Sequence, residues 1–304
     1  MPDEMVDRLR RHDRVALARL LSRAARGEST ADVLVRLGPP AKRSRVIAVT
    51  GSAGVGKSTL VGKLIEVIRN GGQTVAVLAC DPQSPLTGGA LLGDRFRMPS
   101  RPDDDGVYIR SLAAAGGRGA VADHLGDMLR LLEAFGFEVV LIETVGAGQG
   151  DTAVRDLADA VVLLLQPETG DDLQWEKAGL LEVADVIVIH KADLPGAAAV
   201  EGQVRQTLAL SGGRQPTVLR VSARTGEGLD ALWQTIRDLP PRRAADDTAG
   251  RDLLRLAQEA LAARLARAEA AQDPALQRLL AEWRAGALDG AQAGAALLHL
   301  LAGD

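Results

Sequence analysis

The segment VIAVTGSAGVGKST, residues 46–59, constrains this chain more than any other. A short β-prone run, Val46 to Thr50, leads straight into GSAGVGKS at residues 51–58, which fits the spacing G-x-x-x-x-G-K-[S/T] in its required strand-to-helix setting. Gly51, Gly54 and Gly56, with Ser52, Ala53 and Val55 between them, let backbone N–H groups converge on phosphate oxygens. The helix expected to begin near Lys57 adds the positive end of its dipole. Lys57 supplies a point charge for β- and γ-phosphates, and the Ser58 hydroxyl, with Thr59 beside it, is placed to ligate Mg²⁺. A glycine turn of purely structural use needs no Lys-Ser after its last glycine.

The rest of the chain is consistent with the fold such a loop requires. Short apolar runs recur at 46–50, 74–80, 107–110, 139–143, 160–166, 185–190 and 217–222, separated by amphipathic segments. Apolar runs without alternation mark strands covered on both faces, so the expectation is an α/β protein with a mostly parallel, doubly wound sheet flanked by helices. Residues 1–45 form an N-terminal helical extension, with Leu17, Leu20, Leu21 and Ala24 on one face and Asp13 as its cap; Gly38-Pro39-Pro40 ends it. The nucleotide domain spans 46–240. Past Pro240-Pro241 the composition shifts to Ala, Leu and Arg, and 241–304 reads as a C-terminal helical extension that pads the core or serves as a dimerisation arm or partner surface.

Composition removes several functional classes. The net charge of −4 and aromatic content of 2% suit neither a nucleic-acid-binding nor a membrane-surface protein. One cysteine, Cys80, rules out an internal disulfide framework and Cys-rich metal sites, and the mixed charges of MPDEMVDRLRRHDR resemble no secretory or organelle leader. The expected localisation is cytoplasmic.

Three carboxylates are candidates for the metal and for catalysis: Asp81 in CDPQSP, Asp94 in GGALLGDRFRM and Glu143 in VVLIETVGAGQG. Acids at carboxyl ends of parallel strands face the crevice where such sheets bind ligands. HKADLP at 190–195 resembles the N-K-x-D signature by which G proteins read guanine, with His190 in place of asparagine. Asp193 can accept from guanine N1–H and its 2-amino group, and the stem of Lys191 can cover the ring. A neutral imidazole has one N–H, so His190 can reach guanine N7 but lacks an amide's second donor. SARTGEG at 222–228 resembles the last G-protein base loop, with Ser222, Ala223 and Arg224 beside the base.

The strings VLACDPQSPLTGGALLGDRFRM, ETVGAGQGDTAV and GDDLQWEKAGLLEVADVIVIHKADLPG together resemble the MeaB/ArgK/MMAA family, from about residue 10 to the C-terminal helices. That resemblance implies a P-loop GTPase fold, GTP hydrolysis with Mg²⁺ and bound GTP or GDP. It further implies a chaperone role toward an adenosylcobalamin-dependent acyl-CoA mutase such as methylmalonyl-CoA mutase, a cobalamin adenosyltransferase as further partner, and a homodimer. Asp81, Asp94 and Glu143 correspond to the family's metal and catalytic acids. Its switches correspond to 81–98, to 143–155 with Gly146 and Gln149, and to 168–179 with Asp171, Gln174 and Lys177. The alternatives are a P-loop kinase of a transport component, which requires adenine binding, and a metal-delivery chaperone GTPase, which requires clustered His or Cys ligands.

Overall fold

The computed structural model describes residues 2–40, 42–82, 104–114, 120–144, 150–167, 181, 183–212, 215–242 and 245–302. Met1–Arg243 and Ala244–Asp304 are two compact units. In the first, helices α1 (Pro2–Arg10), α2 (Arg14–Ala25) and α3 (Ala31–Leu37) lead to β1 (Arg45–Gly51), α4 (Lys57–Asn70), β2 (Val75–Pro82) and β3 (Val107–Ala114). They are followed by α5 (Ala120–Phe135), β4 (Val139–Glu143), α6 (Gly150–Leu157), β5 (Ala160–Leu165) and β6 (Val186–His190). The unit continues with α7 (Ala197–Ser211), β7 (Thr217–Val221) and α8 (Leu229–Asp238).

Each of the seven apolar runs is a strand, and together they form one sheet of order β3-β2-β4-β1-β5-β6-β7 with every pairing parallel. The α/β sheet expected from the unalternating runs is therefore the fold. Side chains of period two divide each strand between two cores. Val46, Ala48, Val140, Ile142 and Val161 enter one, where α1, α2, α3 and α5 supply Leu9, Leu17, Leu20, Leu34 and Leu125. Ile47, Val49, Val139, Leu141 and Val162 enter the other, closed by Leu60, Leu64 and Ile68 of α4 and by Leu232 and Ile236 of α8. A third cluster seats Val204 and Leu208 of α7 on Leu163, Ile187 and Ile189.

The helices before residue 45 thus belong to the sheet's own core. Asp13 caps α2, its Oδ1 accepting from the N–H groups of Val15 at 2.8 Å and Ala16 at 3.2 Å. Fully burying a leucine such as Leu17 or Leu20 contributes about 1.5–3 kcal/mol, so this layer stabilises the sheet as α4 does from the opposite face. Two carboxylates serve strand entrances: Asp159 accepts from the Val46 N–H at 2.9 Å, and Asp185 from the Val161 N–H at 2.8 Å. Both are buried, so each backbone donor is satisfied without water.

The second unit holds α9 (Ala245–Ala270), α10 (Pro274–Arg284) and α11 (Gly290–Ala302). Asp273 caps α10 through the N–H groups of Ala275 and Leu276, with Pro274 at the first helical position, where a missing N–H costs nothing. Leu276 and Leu301 are buried, whereas Leu254, Trp283 and Leu298 are exposed. No helix among the described residues is long and apolar enough to cross a membrane.

Candidate nucleotide site

The order of the sheet sends the chain leftward from β1 to β2 and later rightward from β4 to β5, so β1 sits at the switch point where such sheets bind ligands. Gly51 ends β1 with φ 149°, and a Cβ there would lie 2.7 Å from the Leu164 carbonyl oxygen, so β5 comes too close for a side chain. Val55 is buried and anchors the loop; Gly56, with φ 100°, is the N-cap of α4. Glycine has no side chain to cap the helix, and the first-turn N–H groups project from its end, the arrangement that receives an anion. Lys57 is buried, and its Nζ donates to the carbonyls of Gly51 at 2.9 Å and Ser52 at 3.1 Å. The loop therefore wraps around its own ammonium.

At the carboxyl end of β4, Glu143 sits level with Val49 of β1 and with Ala79 of β2. This register brings Glu143 to the first turn of α4, where the Ser58 Oγ donates to its Oε1 at 2.7 Å. Both side chains are buried. Next to them the Thr144 hydroxyl donates to the Thr50 hydroxyl at 3.1 Å, and the Thr144 N–H to the Val49 carbonyl at 3.1 Å, which ties the ends of β1 and β4 together. Sequence reasoning did not single out Thr50 and Thr144; the legible signal was a threonine at the close of the first apolar run and another just past Glu143. Asp81 lies on β2 opposite Ala113, two residues beyond Ala79, so its backbone is at the same end of the sheet. Asp94, Gly146, Gln149, Asp171, Gln174 and Lys177 lie outside the described residues. The buried Ser58 hydroxyl and Glu143 carboxylate are hard oxygen donors, a set suited to Mg²⁺, which takes one or two protein oxygens and completes its shell with phosphate and water.

The base end forms where β6 and β7 run side by side, His190 level with Val221, so that residues 190–193 and 222–224 leave the sheet together. Ser222 is fully buried, and its Oγ donates to Asp193 Oδ1 at 2.5 Å. Arg224 donates to Asp193 Oδ2. The Ser222 hydroxyl above all, with help from the Arg224 guanidinium, holds the Asp193 carboxyl below its ordinary value. Lys191 has φ 55°, an unusual left-handed conformation for a long side chain and a frequent mark of a ligand-binding turn. His190 is buried at 3% exposure, and its Nδ1 lies 2.8 Å from the Val55 carbonyl oxygen of the phosphate loop. Burial pushes the His190 imidazole below its ordinary value. That link between base strand and phosphate loop spans 135 residues and has no signature in local sequence.

Comparison with known proteins joins this geometry to a family. The family model described as methylmalonyl-CoA mutase-associated GTPase MeaB matches residues 16–276. A putative GTPase of Pyrococcus horikoshii is 40% identical over 243 residues, covering 78% of this chain and 77% of its own. GTPase ArgK of Escherichia coli is 35% identical over 247 residues, 77% of this chain and 75% of its own. The mitochondrial methylmalonic aciduria type A homolog of Mus musculus is 39% identical over 199 residues, 63% of this chain and 48% of its own. Among solved structures, an LAO/AO transport system kinase shares the fold, with a TM-score of 0.61 at 24% identity over 99% of this chain and 98% of that one. With a glycine loop seated at the sheet's switch point and a family match spanning most of its length, this chain is a P-loop GTPase of the MeaB family.

Proposed function

We propose that this GTPase is a guanine-nucleotide switch that gates cofactor loading into an adenosylcobalamin-dependent acyl-CoA mutase and protects the loaded enzyme. The observation that carries the switch chemistry is the buried Ser58–Glu143 hydrogen bond beside Lys57, with Asp193 and Ser222 at the ends of the neighbouring strands. The match to a family described as mutase-associated supports the partner.

In this reading the amides of residues 51–58 and the Lys57 ammonium orient the phosphates and offset the charge that builds on them during in-line attack by water. Ser58 and Glu143 hold Mg²⁺, with Asp81 and Asp94 as further acids of the same set. The ion, when bound, supplies positive charge to the phosphate oxygens. Asp193 accepts from the guanine N1–H and 2-amino group, and adenine, which offers neither there, leaves the carboxylate unpaired. Lys191, Ser222, Ala223 and Arg224 frame the base. Residues 241–304 serve as the dimerisation arm, a role supported by the exposed Leu254, Trp283 and Leu298. The proposed setting is cytoplasmic, with a cobalamin adenosyltransferase as the second partner.

A phosphate-release assay with GTP, with and without Mg²⁺, tests the core of this reading. Turnover should require Mg²⁺ and fall by at least a hundredfold in Lys57→Ala, because the transition-state charge loses its fixed counter-charge. Wild-type turnover in that variant would remove the mechanism. Transfer of the γ-phosphate to a protein acceptor in place of water would favour a kinase.

A further inference from the structure

His190 occupies the place where the guanine signature has an asparagine, and the structure shows what the imidazole does there. Its Nδ1 is 2.8 Å from the Val55 carbonyl oxygen, which can only accept, so Nδ1 carries the proton and donates. The ring is buried at 3% exposure, and it fills the space a Cβ on Gly56 would need, with its Cε1 and Nδ1 at 2.6 and 2.7 Å from that position. Burial and the nearby Lys191 ammonium favour the neutral ring, against the Val55 carbonyl and the Asp193 carboxylate, and the net direction is downward. Nε2 is buried and has no hydrogen-bond partner among the described residues.

A neutral imidazole has a single N–H. Here it is spent on the phosphate loop, and Nε2 presents a lone pair. Guanine N7 is also an acceptor, and two acceptors form no hydrogen bond. An asparagine amide has two N–H groups, enough to serve the Val55 carbonyl and N7 at once. We infer that His190 is a positioning residue that holds the phosphate loop through Val55 and Gly56, and that it leaves N7 of the bound guanine unread. On this inference His190 does not donate to N7, although the imidazole as read from the sequence could reach it, because its one donor already has a partner. The inference rests on the guanine reading above and adds a specificity to it: base recognition is confined to the edge facing Asp193 and the 222–224 loop.

The test is a titration of the full chain with GDP and with 7-deaza-GDP, in which N7 is replaced by C–H, in wild type, His190→Asn and His190→Ala at pH 7.5. In wild type the two dissociation constants should agree within about twofold. In the Asn variant GDP should be preferred by about five- to tenfold, the worth of one regained hydrogen bond. In the Ala variant both nucleotides should weaken together, their ratio unchanged, because the loop has lost its strut while N7 was never contacted. A wild-type preference for GDP of fivefold or more would overturn the inference, since Nε2 would then be a donor. An Asn variant with no preference would overturn it too, since position 190 would not reach N7. ADP is titrated alongside, and equal affinity for GDP and ADP would instead overturn the guanine reading beneath it.

Discussion

Asp193 illustrates how a recognition residue is kept ready. Both carboxylate oxygens are engaged, Oδ1 by the buried Ser222 hydroxyl and Oδ2 by Arg224, whose side chain is 72% exposed. Ser222 can stay while a base binds; Arg224 competes with the base for Oδ2. An ion pair with so exposed a partner is weak in water, so its removal should matter only modestly. Arg224→Ala is therefore expected to raise the association rate of a fluorescent GDP by about two- to fivefold in stopped flow, a range set by the small worth of exposed pairs. A large loss of affinity would show instead that Arg224 holds the nucleotide. His190 makes a prediction of opposite character, through stability. Its folded-state value is lowered by burial, so below the ordinary imidazole value of about 6.5 the unfolded chain takes up a proton that the folded chain resists. Stability from this group is complete above that pH and declines as pH falls through it. Thermal unfolding at pH 8 and at pH 5.5 should show a smaller acid loss in His190→Asn than in wild type, the other histidines being common to both.

At the scale of the element, the turn from β1 into α4 shows that glycines of one motif are not equivalent. Gly54 and Gly56 both have positive φ, 77° and 100°. A Cβ on Gly54 meets nothing within 4 Å, while one on Gly56 would strike the His190 ring at 2.6 Å. Gly54→Ala therefore costs backbone strain alone, about 1–3 kcal/mol. Gly56→Ala costs that strain and also displaces the ring that holds Val55, so urea denaturation should rank it clearly below Gly54→Ala. It should also bind GDP more weakly. Equal midpoints in the two variants would mean that the contact between ring and loop carries no free energy. The base elements depend on pairing in the same way: residues 190–193 and 222–224 meet because β6 and β7 are neighbours in register, with the Ala192 N–H bonded to the Val221 carbonyl at 3.1 Å.

At the scale of the whole molecule, the proposed partner makes the prediction. If a mutase favours one nucleotide state, nucleotide and mutase must change each other's affinity by the same factor, whatever happens to turnover. Gln174 and Lys177, assigned to the third switch by resemblance, lie apart in sequence from the phosphate and base loops. Changing both to Ala should leave GTP affinity within about twofold, less than half a kilocalorie in binding free energy, and abolish stimulation of hydrolysis by the mutase. Survival of that stimulation would move the coupling to another surface, the Gln149 segment first.

Read alone, the sequence determined the phosphate loop, the seven strands and the chain order of the base loops. Each is encoded over a few consecutive residues, as glycine spacing, as an apolar run or as a polar motif at a run's end, and short-range sterics and burial decide such features locally. Asp13 as a cap was legible for the same reason, its acceptors being two and three residues away. Only the tertiary structure decided that residues before 45 are part of the sheet's core, since an amphipathic helix announces a buried face but not what covers it. It alone placed Ser58 against Glu143, 85 residues on, because that meeting depends on the parallel register of β1 and β4. His190 makes the point most sharply. The sequence supplied an imidazole with one N–H at the end of a base strand, and the packing of β6 against the phosphate loop gave that proton to the Val55 carbonyl.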